Sequence, residues 1–359
     1  MSKRVVIVGG GIVGCMTAME LLDRGFNVTI VERNQIASQT SGESSWAGGG
    51  IIFPLLPWMY SEPVNELAAY GARAYSSIAT RLEQETGLPT GFINSGFLVL
   101  PPFEQALGIS WCKSHAQPFE LTQKIDALLT KIDAPAFWLP NVCQVRPPYF
   151  MKALRQWLVQ NGVTLLEHTE LLPLADIETL HAWETTDGRV IQADQFVVTS
   201  GAWSFLLLRS VAKALNIKPM RGQILLYKPL KNLTSIVYKD GFYMIPRADG
   251  YLLAGSTLED VGFDASTTEA VRQELAQKAE SIMPSLKGLP IIKHWSGLRP
   301  GTPENLPIIS AHPTIKNLYL NTGHFRYGLT MAPASARLVA DLISGTEASV
   351  KAADMFKIN

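Results

Sequence analysis

Val5-Val6-Ile7-Val8-Gly9-Gly10-Gly11-Ile12-Val13-Gly14, then Cys15 to Arg24, then Asn27-Val28-Thr29-Ile30-Val31-Glu32, is the stretch on which the reading of this chain turns. Four β-branched residues, Val5 to Val8, predict a buried strand. Met16, Met19 and Leu22 recur at helical spacing, and Gly25 stands where a helix stops. Asn27 to Val31 predicts a second strand, closed by an acid 18 residues beyond Gly14. Gly9, Gly11 and Gly14 fit G-x-G-x-x-G within a complete βαβ unit. Gly9 suits the tight turn, Gly11 lets the backbone approach a pyrophosphate, and Gly14 lets the helix pack closely on the sheet. The helix start at Ile12 and Val13 offers free amides and a positive dipole end to phosphate. Glu32 suits the two hydroxyls of a ribose and would repel a 2′-phosphate. With strand, helix, strand and acid in register, the stretch predicts dinucleotide binding.

The 359 residues are enough for two domains. Apolar residues make up 47% and charged residues 17%, the balance of a globular enzyme with a large core. Thirty-one basic side chains match 31 acidic ones and no basic run occurs, which disfavours nucleic acid as the main ligand. Cys15, Cys112 and Cys143 are scattered and odd in number, with no C-x-x-C and no histidine cluster beside them. A reducing compartment without disulfide or zinc, by default the cytoplasm, is expected. No stretch approaches the roughly 20 apolar residues of a membrane span, and the opening run, broken by three glycines, does not read as a signal peptide.

Further along, Ser38 to Gly50 reads as a polar, small-residue loop, and Ile51 to Tyr60 as neither a good helix nor a good strand. Helices are expected over Glu62 to Glu85 and Pro147 to Asn161, and one or two helices with a loop over Gln105 to Trp138. Strands are expected at Gly96 to Leu100, Val163 to Leu166 and Gln195 to Thr199. From Ile217 to Pro300 short strands alternate with turns around one helix, Thr267 to Met283, which predicts a mostly antiparallel sheet. Asn317 to Asn321 returns to a buried strand, and Leu329 to Ser344 is a last helix ended by Gly345. The fold class expected is α/β, a discontinuous Rossmann-like nucleotide domain joined to an antiparallel sheet flanked by helices. The nucleotide domain would comprise 1–80, 142–212 and 300–359, and the substrate domain 81–141 and 213–299.

Four segments together resemble the D-amino-acid oxidase/glycine oxidase family of FAD enzymes, nearest its bacterial branch serving thiamine biosynthesis. They are VVIVGGGIVG with VERN, then SSWAGGG, then ADQFVVTSGAWS (Ala193 to Ser204), and WSGLRPGTPENLPIIS with TGHFRYGLTMAP. Their order and spacing fit along the full length. The resemblance implies noncovalent FAD, since none of the three cysteines stands where relatives attach the flavin. Glu32, Arg33 and the backbone near Leu171 would meet its adenosine end. Glu43, where the family carries a small residue, and Ser44 would lie near the phosphates and ribityl chain. Gly48, Gly49, Gly50, Gly201 and Trp203 would also contact the cofactor. The turn His324, Phe325, Arg326, Tyr327 and Gly328, with Leu329 and Thr330 of the last helix, would flank the flavin.

Arg299 matches the arginine that holds the substrate carboxylate, a role its planar guanidinium fork suits, and it would also border the flavin. Tyr243 matches the tyrosine meeting the same carboxylate, on a segment expected to neighbour that of Arg299. Arg326 matches an arginine beside flavin and substrate, and Leu258 an apolar pocket wall. In the family the amine binds neutral and the Cα hydrogen leaves as hydride, so no side-chain base is assigned; His294 and His324 are not given that role. The activity implied is oxidation of glycine or a small D- or N-methyl amino acid to the imine, then glyoxylate or another 2-oxo acid, with oxygen reduced to hydrogen peroxide. A D-amino-acid dehydrogenase passing electrons to a quinone is the alternative that motifs leave open. The expected partners are a small amino acid and molecular oxygen, with homo-oligomerisation left open and no nucleic acid.

Overall fold

A computed structural model of the chain describes residues 3–39, 42–175, 177–208 and 215–358. Arg4–Val8 is the middle of a six-stranded sheet, paired in parallel with Gln195–Val198 on one side and Asn27–Val31 on the other. Leu318–Thr322 and Ile308–Ala311 extend the sheet one way, and Thr164–Leu166 the other. The unbroken apolar run of the first strand follows from this central position. Val5 and Ile7 enter one core while Val6 and Val8 enter the core on the opposite face, as the two-residue period of a strand requires. The first core is closed by the helices Ile12–Asp23, Glu62–Thr86, Pro147–Gln160 and Gly328–Ser344. Gly14 is the close approach between first helix and sheet. A Cβ there would lie 1.9 Å from the Gly9 carbonyl oxygen and 2.7 Å from Thr199 Oγ1.

The second sheet has eight strands, in the spatial order Lys293–Gly301, Lys218–Tyr227, Leu252–Gly255, Phe242–Pro246, Ile236–Lys239, Phe97–Val99, Ala136–Leu139 and Glu120–Thr122. Its pairs are antiparallel except Ile236–Lys239 with Phe97–Val99. Side chains alternate here as well. Leu225, Tyr227, Met244 and Ala254 pack with Leu275, Ala279 and Ile282 of the helix Glu269–Ile282. Ile224, Tyr243, Ile245 and Leu253 face a separate cluster that includes Phe53 and Leu55. The molecule is thus mixed α/β with several sheets.

Two local expectations are corrected. The stretch from Gln105 to Trp138 holds one helix, Gln105–Ser114, and then contributes the strands Glu120–Thr122 and Ala136–Leu139. Ala136–Leu139 forms because Phe97–Val99, some 40 positions away, supplies its backbone partners, and Glu120–Thr122 then pairs with Ala136–Leu139 at the sheet edge, which no local pattern announces. Among its described residues, the loop from Ser38 to Gly50 contains a single helical turn, Ser44–Ala47. The expected domain boundary at 212–213 lies outside the described residues.

Candidate active site

The turn between Arg4–Val8 and the first helix opens into one long cleft walled by both sheets. At the nucleotide side stand Gly9, Gly11, Ile12 and Val13, where the first-turn amides of a helix have no acceptor inside the helix. One of them is already satisfied, because Ile12 N–H donates to Ser45 Oγ at 2.9 Å. Glu32 is held rigidly. Its carboxylate accepts from the Gly10 amide at 2.8 Å and from the Asn34 amide at 2.9 Å. Leu171 lines the same region, and the Arg33 guanidinium stacks 4.0 Å from the Trp203 ring centroid. Asn34 Nδ2 donates to Glu43 Oε1 at 2.6 Å, so the acid at position 43 is tied back toward the end of the second strand. Ser44, Gly48, Gly49, Gly50 and Gly201 also line the cleft, as do His324 through Thr330. Of the expected cofactor and substrate residues, Gly14 and Leu258 are outside the lining; Gly14 sits beneath, between helix and strand.

At the far side the sheet contributes Tyr243 and Arg299. They do not sit on neighbouring strands. Lys218–Tyr227 and Leu252–Gly255 stand between Lys293–Gly301, which carries Arg299, and Phe242–Pro246, which carries Tyr243. The arginine side chain crosses this gap. Its Nη2 donates to Ser256 Oγ at 2.7 Å, its Nη1 to the Thr257 carbonyl at 3.1 Å, and it reaches the Tyr243 hydroxyl. Burial pushes the Arg299 pKa below its ordinary value; Tyr243 pulls it back up and Arg326 pushes it down. These hydrogen-bond partners are all neutral. Arg221, on the adjacent strand, differs in kind, since it ion-pairs with Glu259 and Asp264, each at 2.7 Å. Arg326 is exposed at the cleft, its guanidinium 5.3 Å from the Phe325 ring. Leu258 departs from expectation. It is 43% exposed and absent from the lining, because the Arg221 and Glu259 backbones bond to each other and carry the segment outward.

Residues 4–342 match the protein family described as DAO, FAD dependent oxidoreductase. The chain belongs to that family. A glycine oxidase of Pseudomonas aeruginosa is 39% identical over 355 residues, 97% of this chain and 96% of that protein. A bifunctional protein ThiO/ThiG of Trichormus variabilis is 30% identical over 356 residues, 96% of this chain and 53% of that protein. The crystal structure of glycine oxidase from Geobacillus kaustophilus is similar with a TM-score of 0.89 and 27% identity, covering 100% of this chain and 99% of that one.

The cofactor of this FAD-dependent family fits the residues present. His324 is 2% exposed at the cleft, and its Nε2 has no partner among the described residues. Burial pushes its pKa down to about 3, so the ring is neutral, with one nitrogen to donate and one to accept. The Gly49 carbonyl is fixed from behind by Arg247 Nη2 at 2.7 Å, while Arg247 Nη1 donates to Gln144 Oε1 at 2.5 Å and the Val145 carbonyl at 3.0 Å. Neither Arg247 nor Ser45 was singled out from sequence. An arginine directly after an apolar strand ending in proline, in Phe242-Tyr243-Met244-Ile245-Pro246-Arg247, was the available signal for the first. None of the three cysteines lines the cleft.

Proposed function

We propose that this family member oxidises glycine, or a comparably small D- or N-methyl amino acid, with noncovalent FAD and molecular oxygen. The products are the imine and then glyoxylate (or another 2-oxo acid), ammonia (or an amine) and hydrogen peroxide. Arg299 carries the proposal. It is a desolvated guanidinium whose contacts are neutral, standing beside Tyr243 in a cleft otherwise built for a dinucleotide. Such a cation has no hydrogen-bonded carboxylate partner until a substrate carboxylate arrives. Bound FAD would accept the two electrons and the Cα hydrogen of the amino acid. Arg299 and Tyr243 would hold the carboxylate and so fix which Cα–H faces the cofactor. Phe53, Leu55 and Tyr243 line the same cleft with apolar surface.

The glycine oxidase relatives support glycine as the substrate, and the ThiO/ThiG relatives support a product used in making the thiamine thiazole. Unpaired cysteines support a cytoplasmic site of action, and no helix among the described residues is long and apolar enough to cross a membrane. Peroxide release in air from purified protein, with glycine, sarcosine, D-alanine and D-proline supplied in turn and no other acceptor, is the test. Reduction of the flavin without peroxide would favour the quinone-linked dehydrogenase. L-amino acids or plain amines outrunning glycine would overturn the proposal.

A further inference from the structure

The path of the Arg299 side chain across the sheet raises the question of what makes room for it. In the antiparallel pairing, Met220 faces Arg299 and Gly222 faces Gly297. Gly222 is therefore the diagonal neighbour of Arg299 on the same face of the sheet. A Cβ on Gly222 would lie 2.1 Å from Arg299 Nη1, 2.3 Å from Nη2 and 2.4 Å from Cζ. The guanidinium thus rests on the bare Cα of Gly222. From that seat it reaches Ser256 Oγ and the Thr257 carbonyl, whose segment leaves the strand Leu252–Gly255 beside Gly222's own strand. The glycine is not there for backbone freedom, because its φ lies outside the left-handed region. An alanine would cost the backbone nothing and would strike only the far end of a flexible side chain.

We infer that Gly222 and Ser256 are positioning residues for the carboxylate-binding arginine. Gly222 supplies the seat that lets the guanidinium cross to Tyr243, and Ser256 pins one Nη so that the remaining donors point at the substrate. This inference rests on the proposed role of Arg299. Any side chain at 222 would push the guanidinium off both anchors. Displacement of a substrate-positioning group by about 1 Å is enough for losses near 10²-fold.

The test is a double-mutant cycle on flavin-normalised enzyme with glycine as substrate. Gly222→Ala should lower kcat/KM by roughly ten- to a hundredfold, mostly through KM. Ser256→Ala should lower it about three- to tenfold, less than Gly222→Ala because the Thr257 carbonyl still holds the other Nη in place. Both losses should vanish in an Arg299→Ala background, and acetate, the minimal carboxylate, should perturb the oxidised flavin spectrum of Gly222→Ala only at far higher concentration. Flavin content of Gly222→Ala should match the parent. Normal KM and acetate binding in both variants, or losses that persist without Arg299, would overturn the inference. A Gly222→Ala chain that fails to fold or take up flavin would overturn the part assigned to Gly222, leaving Ser256→Ala to decide the remainder. An Arg299→Ala enzyme with normal glycine kinetics would instead overturn the carboxylate role itself.

Discussion

Removing Arg299 should be far more damaging than removing the Tyr243 hydroxyl, although both are proposed to meet the same carboxylate. The arginine offers a charged, forked donor, whose hydrogen bonds are about twice as strong as neutral ones. Its side chain is partly buried, and its hydrogen bonds go to the neutral Ser256 hydroxyl and Thr257 carbonyl. Arg299→Ala also leaves a desolvated substrate carboxylate with no counter-ion, a loss of roughly 3–5 kcal/mol for a broken buried pair. That is two to more than three powers of ten in kcat/KM, at about 1.4 kcal/mol per tenfold. Tyr243→Phe removes one neutral hydroxyl contact, about 1–2 kcal/mol. If the carboxylate is held equally in ground and transition states, the arginine loss should fall mainly on KM. Steady-state kinetics with glycine on flavin-normalised enzyme checks both variants. Near-normal kcat/KM in Arg299→Ala would refute the carboxylate assignment. A Tyr243→Phe loss exceeding that of Arg299→Ala would show that the hydroxyl takes part in the chemistry.

The cofactor half is testable without turnover. Gly14→Ala places a methyl 1.9 Å from a backbone oxygen that no rotamer change can move, so it should cost about 3 kcal/mol in denaturant unfolding and abolish flavin retention; a yellow protein of normal stability would contradict this. Arg247→Met leaves Gln144 Oε1 and the Val145 and Gly49 carbonyls without their donor, so stability should fall by roughly 2–4 kcal/mol, with weaker flavin binding by equilibrium dialysis. Because no cysteine reaches the cleft, heat or urea should release all the flavin to the supernatant, and flavin retained on the precipitated chain would argue for a covalent link. His324 is pushed down to about 3 by burial, so the unfolded chain takes up the proton first. Stability should therefore drop as pH falls from about 6.5 toward 3, by up to about 1.4 kcal/mol per unit from this group. His324→Gln should show a shallower decline in urea midpoint between pH 7 and pH 5.

How much of this was legible in the sequence depended on how far apart the partners lie along the chain. The βαβ unit is complete within residues 4–32, and its strands and helix form nearly where the pattern puts them. Tyr243 and Arg299 could be named from their motifs, but not their separation in the sheet. Strand periodicity says which face a residue takes and nothing about which strands intervene. Leu258 was misplaced for the same reason, since the backbone bonds that turn it outward come from Arg221. Two glycines make the point physically. Gly14 and Gly222 do the same job, clearing space for atoms of another part of the structure. The atom crowding Gly14 belongs to Gly9, five residues earlier, and the motif contains both. The group crowding Gly222 belongs to Arg299, 77 residues later. In the sequence Gly222 is only a break in a strand, and its meaning exists only once the sheet has brought the arginine over it.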